Sequence, residues 1–244
     1  MTAYYNEIDK KAAAWLRELI KENLIPYGHV DDRSIVDVEP TDLVGYAQCH
    51  FFAGVGGWGI ACRLAGWPDD REIWSASCPC QPFSVAGKGA GTADARHLWP
   101  DFFRLVRARR PAAIVGEQVA AAIGKDWFDG VRTDLEGIAY ACRGVVVPAC
   151  AVNAPHRRDR LWFVADAKWN EQPREEPCRR SIGRMGRIEQ PIPWNTSWES
   201  ALASFRILDD GLPRSVAATD AARNTIVPQV AAEVIAALME TTNV

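Results

Sequence analysis

The chain has 244 residues, 48% of them hydrophobic, with a net charge of -3. That is enough for one sizeable core, and the mild acidity means that any nucleic-acid contact must come from a local basic face. No run approaches the ~18 apolar residues of a membrane span, and the N-terminus lacks the basic head and apolar core of a signal peptide. Seven cysteines, an odd number without disulfide-framework spacing, fit a reduced, cytosolic protein. The usual C-x2-C knuckles of a zinc site are missing, so no metal is expected.

In chain order, Tyr4-Tyr5-Asn6-Glu7-Ile8-Asp9 reads as a short strand ending in acids. Apolar positions Ala13, Leu16, Leu19 and Ile20 predict a helix from Lys10 to Glu22, ended by Pro26 and Gly28. A second strand and a short Thr41-Asp42-Leu43 piece follow. Cys49 to Trp58 reads as a strand running into a glycine turn, then a helix to about Ala65. Glycines at such a turn let a ligand approach the backbone closely. Glu72 to Ala76 is a strand that delivers Ser77-Cys78-Pro79-Cys80-Gln81-Pro82-Phe83-Ser84, and a glycine-rich loop covers Val85 to Gly91. A helix is expected from Trp99 to Arg109. A buried strand from Pro111 to Val119 places Glu117 near its carboxyl end, where open parallel sheets bind ligands. A helix over Trp127 to Tyr140, a strand at Gly144 to Val147 and a strand through Leu161 to Ala165 complete this part. Asp166 to Ser204 is rich in Arg, Glu, Pro, Gly and Trp without periodicity, and a last helix runs from Ala231 to Met239.

Several of these stretches resemble cytosine-C5 methyltransferases. Pro79-Cys80-Gln81-Pro82-Phe83-Ser84 resembles the family's nucleophile loop, and Phe52-Ala53-Gly54-Val55-Gly56-Gly57 its S-adenosylmethionine loop. Glu117-Gln118-Val119 resembles the Glu-Asn-Val motif, with Gln in place of Asn. His156-Arg157-Arg158-Asp159-Arg160 resembles Gln-x-Arg-x-Arg, with His in place of Gln. Arg223-Asn224-Thr225-Ile226-Val227-Pro228 resembles the closing Gly-Asn-x-Val-x-Pro, with Arg in place of Gly.

The resemblance implies a doubly wound, mostly parallel α/β sheet of the Rossmann-like methyltransferase kind. Residues 1–165 form the catalytic and cofactor domain, 166–204 a short target-recognition segment, and 205–244 a return to the catalytic domain. It implies transfer of a methyl group from S-adenosylmethionine to C5 of a cytosine flipped out of double-stranded DNA. Cys80 is the nucleophile, assisted by Glu117, Arg158 and Arg160. Phe52 to Gly57, Pro79 and Asn224 hold the cofactor. Gln81, Ser84, Lys88, Arg96, His156, Arg180, Arg184 and Arg187 face nucleic acid. Alternate positions of an extended segment share a face, so Arg158 and Arg160 are expected to converge on the site. A tRNA substrate, or a silent nucleic-acid-binding homologue, is the alternative. A cognate restriction system and a bacterial or phage cytoplasmic setting fit the compact chain.

One block is displaced from the family order. Only Trp67 to Arg71 separates the glycine-loop helix from the nucleophile strand, where the family has two further strands carrying acids for the cofactor's ribose and adenine. The N-terminal unit resembles that missing block. Glu7 would take the ribose hydroxyls and Ile8 would pack on adenine. The adenine-amino acceptor is Asp31 or Asp32, with Asp32 the choice adopted. If the glycine-loop helix keeps its usual face, its connection to the nucleophile strand becomes a left-handed crossover, as are about one in fifty. Otherwise the helix or the N-terminal block lies elsewhere, and Glu7 far from the Gly54 loop would exclude the displacement.

Overall fold

The computed structural model describes residues 2–79, 98–154, 157–167 and 225–241. Seven strands form one sheet: β1 (Ala3–Asn6), β2 (Gly28–Asp31), β3 (Gln48–Phe51), β4 (Ile73–Ala76), β5 (Ala113–Val119), β6 (Ala141–Pro148) and β7 (Asp159–Asp166). Their spatial order is β2-β1-β3-β4-β5-β7-β6. The first five run parallel, and β7 is antiparallel to both β5 and β6. The helices are α1 (Lys10–Lys21), α2 (Gly57–Ala65), α3 (Trp99–Arg109), α4 (Trp127–Gly137) and α5 (Pro228–Thr241). This is the Rossmann-like methyltransferase fold that the motifs imply. The expected helix over 127–140 ends at Gly137, and the strand expected at 144 begins at Ala141.

The N-terminal block lies where the displaced-strand reading requires. Asn6 pairs with Phe51 of β3 on one side and Asp31 of β2 on the other. Asp9 precedes α1, and its carboxylate accepts the Lys11 and Ala12 amides and caps the first turn. Its Ala13, Leu16 and Leu19 face cover Ala3 and Tyr5.

The register fixes which helices share a face. Ala3, Gln48 and Ile73 are aligned across β1, β3 and β4, as are Tyr5, His50 and Ser75. Aligned residues point to the same side of a sheet. α1 packs with Ala3 and Tyr5, while α2 and α5 pack with Ile73 and Val115, so all three lie on one face. α3 and α4 pack with Phe51, Trp74 and Ile114 on the other. α1 carries the chain from β1 outward to β2. α2 carries it the opposite way, from β3 to β4, across the same face. The two connections therefore have opposite hands. α3 moves in α2's direction but across the opposite face, so it shares the hand of α1. Because about 98% of such connections are right-handed, the β3-α2-β4 connection is the left-handed one. Of the alternatives left open by the sequence, the exceptional crossover is the one found.

Beneath α2 the sheet carries a buried polar row. His50 Nδ1 is 2.8 Å from Ser75 Oγ, and its Nε2 is 3.2 Å from Gln48 Oε1. The ring stacks on Tyr5. Burial lowers the His50 pKa to about 3, so the imidazole is neutral and shares neutral hydrogen bonds. Gln48 Nε2 donates to the Pro68 carbonyl at 3.0 Å, which ties the α2–β4 link to the sheet.

Candidate active site

The carboxyl ends of β1, β3, β4 and β5 carry the described motif residues. At β3 the chain leaves the sheet through Phe52, whose backbone is left-handed (φ 53°), then Gly54 and Gly56, with φ 56° and 89°. Glycine adopts that region without strain, and Gly56 leads directly into α2. Glu7, just beyond β1, is half-buried and accepts the Gly54 amide at 2.7 Å and the Asp9 amide at 2.8 Å. The displaced-strand reading therefore passes its own geometric test. Ile8 beside it is 65% exposed.

Apart from Gly54 itself and its two chain neighbours, no described atom lies within 4 Å of where a Cβ on Gly54 would stand. The turn thus has open space flanked by a carboxylate and an exposed apolar side chain. Those residues fit a nucleoside: each Glu7 oxygen keeps a lone pair for a hydroxyl, and Ile8 offers a surface for a flat base.

The two acids at the end of β2 differ. Asp31 is buried and accepts from Tyr4 Oη at 2.6 Å, from Arg33 Nη2 at 2.6 Å and from Arg33 Nε and the Arg33 amide at 3.0 Å. Burial alone would raise its carboxyl, but the Arg33 and Tyr4 bonds more than offset that and hold it at about 2. Arg33 also reaches Asp42 at 2.8 Å, which anchors the segment between β2 and β3. Asp32 is exposed and 3.4 Å from Arg17.

Glu117 lies near the end of β5 and is 7% exposed. Arg160 on β7 meets it through Nε at 2.7 Å. The β5–β7 register sets Val119 against Arg160 and Glu117 against Trp162, which puts these side chains on one face. Burial pushes the Glu117 carboxyl above its ordinary range, against the charges of Arg160 and Arg158. The charges of both arginines act on Glu117, although the two do not come from one extended strand. Arg158 precedes β7 with a left-handed backbone (φ 37°), and its Nη2 donates to the Thr225 carbonyl at 2.6 Å, just ahead of α5. Arg160 makes the direct contact with the carboxylate.

Two side chains hold the stem that leads from β4 to the Pro-Cys-Gln motif. Trp58 Nε1 donates to Ser77 Oγ at 2.9 Å. Gln118 Nε2 donates to the Cys78 carbonyl at 3.3 Å, while its Oε1 accepts the Val119 amide. Gln in place of the family Asn thus spans to the stem. Burial raises the Cys78 thiol well above its ordinary range, so Cys78 stays a protonated, inert neighbour. Pro79 closes the described stem and is half-buried. Cys80, Gln81, Ser84, Lys88, Arg96, His156, Arg180, Arg184, Arg187 and Asn224 lie outside the described residues, as does the proposed recognition segment from 168 onward. Neither stem bond was foreseen from sequence. The available signal was a tryptophan directly after the glycine turn and a glutamine inside an apolar strand run, since such Trp and Gln groups need partners when buried.

Among the described residues, no cluster of three or more His, Cys, Asp or Glu side chains could hold a metal ion. None of their helices is long and apolar enough to cross a membrane.

The sheet order, the glycine turn after β3 and the acid near the end of β5 are those of a Rossmann-like methyltransferase fold. The family model for C-5 cytosine-specific DNA methylases matches residues 60–190, more than half of the chain, and the chain belongs to that family. The match begins inside α2, so the displaced N-terminal block lies outside it. Among curated relatives, the type II methyltransferase M.HaeII of Haemophilus aegyptius is 32% identical over 99 residues, 39% of this chain and 31% of that protein. M.HhaI of Haemophilus parahaemolyticus is 29% identical over 169 residues, 53% and 52% of the two chains. The matched regions thus span between 31% and 52% of these relatives' lengths. Among solved structures, the Entamoeba histolytica methyltransferase EhMeth aligns with a TM-score of 0.43 at 13% identity, over 68% of this chain and 53% of that one.

Proposed function

We propose that the protein methylates C5 of cytosine in double-stranded DNA, using S-adenosylmethionine and Cys80 as the covalent nucleophile. The observation that carries this reading is Glu117. It is a buried carboxyl gripped by Arg160, beside the stem of the Pro-Cys-Gln motif and at the ligand-binding end of the sheet. A cytosine that has left the helix presents N3 and its amino group to such an acid. With its pKa raised by burial, Glu117 can hold a proton at N3 and neutralise the charge that builds on the ring when Cys80 adds at C6. That addition moves the C5–C6 π electrons into the ring and makes C5 a carbon nucleophile. S-adenosylmethionine, when bound, supplies the electrophilic methyl group. Loss of the C5 proton to water then restores the double bond and releases the Cys80 thiolate.

Arg160 keeps Glu117 oriented, and Arg158, tied to the start of α5, contacts the base carbonyl O2. Glu7 and Ile8 hold the ribose and adenine of the cofactor over the Gly54 turn. Asp32 accepts the adenine amino group, because the oxygens of Asp31 are already engaged by Tyr4 and Arg33. The arginine-rich segment around Arg180, Arg184 and Arg187 reads the target through phosphates and guanine edges. The enzyme works in the cytoplasm, beside a cognate type II restriction system.

The test is transfer of labelled methyl from S-adenosylmethionine to unmethylated duplex DNA and, in parallel, to tRNA. Label in DNA that disappears with Cys80→Ala, while cofactor binding persists, is the expected result. Label in tRNA alone would overturn the DNA reading, and turnover surviving in the variant would overturn the nucleophile.

A further inference from the structure

Trp58 occupies an unusual junction. It is the second residue of α2, immediately after the glycine turn. Its indole is 2% exposed and packs edge-on against Trp162, at 5.9 Å and 78°. Trp162 lies opposite Glu117 in the β5–β7 register. The indole N–H donates to Ser77, the first residue beyond β4 and three residues before Cys80. One side chain therefore touches the helix that issues from the cofactor turn, the stem of the nucleophile motif and the strand that faces the acid. Glu7 completes the path by fastening the Gly54 amide.

We infer that Trp58 is a positioning residue, which transmits occupancy of the Gly54 turn to the stem of the nucleophile motif through its hydrogen bond to Ser77. The inference rests on the methyltransferase reading given above. A ligand seated on the turn restrains the N-terminus of α2, because Gly56 leads directly from the turn into the helix and its carbonyl accepts the Ile60 amide. Trp58 moves with that first turn of helix. Its wide ring is held against Trp162, so rotation of the indole away from Ser77 is opposed by packing. Fixing α2 thereby fixes Ser77, and with it the direction in which the chain leaves β4 toward Cys80. Phenylalanine at the same place would fill most of the space but would have no donor. The bond thus does something that apolar packing alone does not: it sets the stem's position along the sheet as well as its distance.

The experiment uses the full chain and S-adenosylhomocysteine as the bound probe. Amide exchange at Ser77 and Cys78 is followed by NMR with and without the probe. In the wild type, the probe slows exchange at both amides. In Trp58→Phe and in Ser77→Ala, the probe still binds within about twofold of wild type, but the slowing is lost. Single-turnover methylation falls by about tenfold in each variant, the size of one lost hydrogen bond expressed in a transition state. The double variant is no slower than the worse single one, and Ser77→Thr, which keeps the hydroxyl, restores the rate. Slowing of exchange that persists in both variants would overturn the inference. So would losses that multiply in the double variant, or an affinity loss equal to the rate loss. A wild type that neither binds the probe nor methylates would overturn the functional reading and the inference with it, and that is seen before any variant is made.

Discussion

Arg160→Met separates the two forces acting on Glu117. Methionine keeps much of the length of the arginine stem and removes the guanidinium that sits 2.7 Å from Glu117. Among the described residues, the carboxyl, 7% exposed, then keeps the Arg158 charge alone to oppose its desolvation. It can stay ionised in a poor environment or take up a proton. Protonating a carboxyl of ordinary pKa 4.5 at pH 7.5 costs three pH units, about 4 kcal/mol. That is a ceiling on the damage, and it agrees with the roughly 3–5 kcal/mol lost when one partner of a buried pair is removed. The sign follows from the direction of the shift. A raised folded-state pKa leaves stability intact below the unfolded value and erodes it as pH rises toward the folded one. Arg160→Met raises the pKa further, so its deficit relative to wild type opens with increasing pH. The expected loss is about 3 kcal/mol at pH 7.5, shrinking by up to about 1.4 kcal/mol per unit toward pH 5. Urea unfolding at pH 5, 6 and 7.5 measures it, and Glu117→Gln in the same background is expected to recover most of the loss at pH 7.5. A deficit that is the same at every pH would refute the reasoning, because it would mean that Arg160 stabilises by packing and not by holding a charge.

Asp31→Asn is expected to cost about 1–2 kcal/mol, a figure discounted because its partner Arg33 is 48% exposed. In the wild type the same contribution is present above pH ~4 and is lost as pH falls to about 2, since the folded pKa is depressed; thermal melts across that range test both statements. Gly116→Ala would place a Cβ 2.1 Å from the Phe163 ring in the middle of β5. A loss of about 1–3 kcal/mol in denaturant unfolding is expected, relieved by Phe163→Leu. Glu7→Gln removes the carboxylate at the Gly54 turn and is expected to weaken S-adenosylmethionine binding about tenfold in calorimetry, as for a lost charged hydrogen bond; unchanged affinity would remove Glu7 from the cofactor site.

The sequence carried the strands, the glycine turn and the acid at the end of β5 because each has a local signature. Apolar runs of strand length, paired glycines before a helix and a carboxylate at a strand's end are visible in one dimension. Even the displaced block was legible, since Glu7 and the strand before it stand in the same relation to α1 wherever the block occurs in the chain. The contacts between elements were not. Nothing local in Ser77 says that Trp58 donates to it, nor in Cys78 that Gln118 does. Arg158 and Arg160 stand at alternate positions, but the strand begins only at Asp159 and the Arg158 backbone is left-handed, so only Arg160 is a strand residue. Which of Asp31 and Asp32 remains open to a ligand depended on Tyr4 and Arg33, and Tyr4 is a residue 27 positions away.

The left-handed connection follows from what each end of α2 must do. Its first residues must continue the glycine turn at the carboxyl end of β3, and its Trp58, Ala61 and Cys62 share a core with α5, Ile73, Val115 and Trp162. Both demands place the helix on the face it occupies, whatever strand comes next in the chain. With the N-terminal block supplying β1 and β2, the next strand is β4, on the opposite side of β3 from β1. The handedness rule expresses a preference of the connecting segment, arising from strand twist, whereas the face and the strand order are set by side-chain burial over the whole sheet. When the two conflict, burial is the larger quantity and the link must absorb the difference. Here the link is braced at each turn. Gln48 holds the Pro68 carbonyl, Arg63 meets Asp69, the Trp67 indole donates to the Arg71 carbonyl, and the Arg71 guanidinium lies over the Trp67 ring. The buried row of Gln48, His50 and Ser75 is therefore part of the same solution. A glutamine within an apolar sheet face would be costly without partners, and its partner on the link is available only because the chain crosses there.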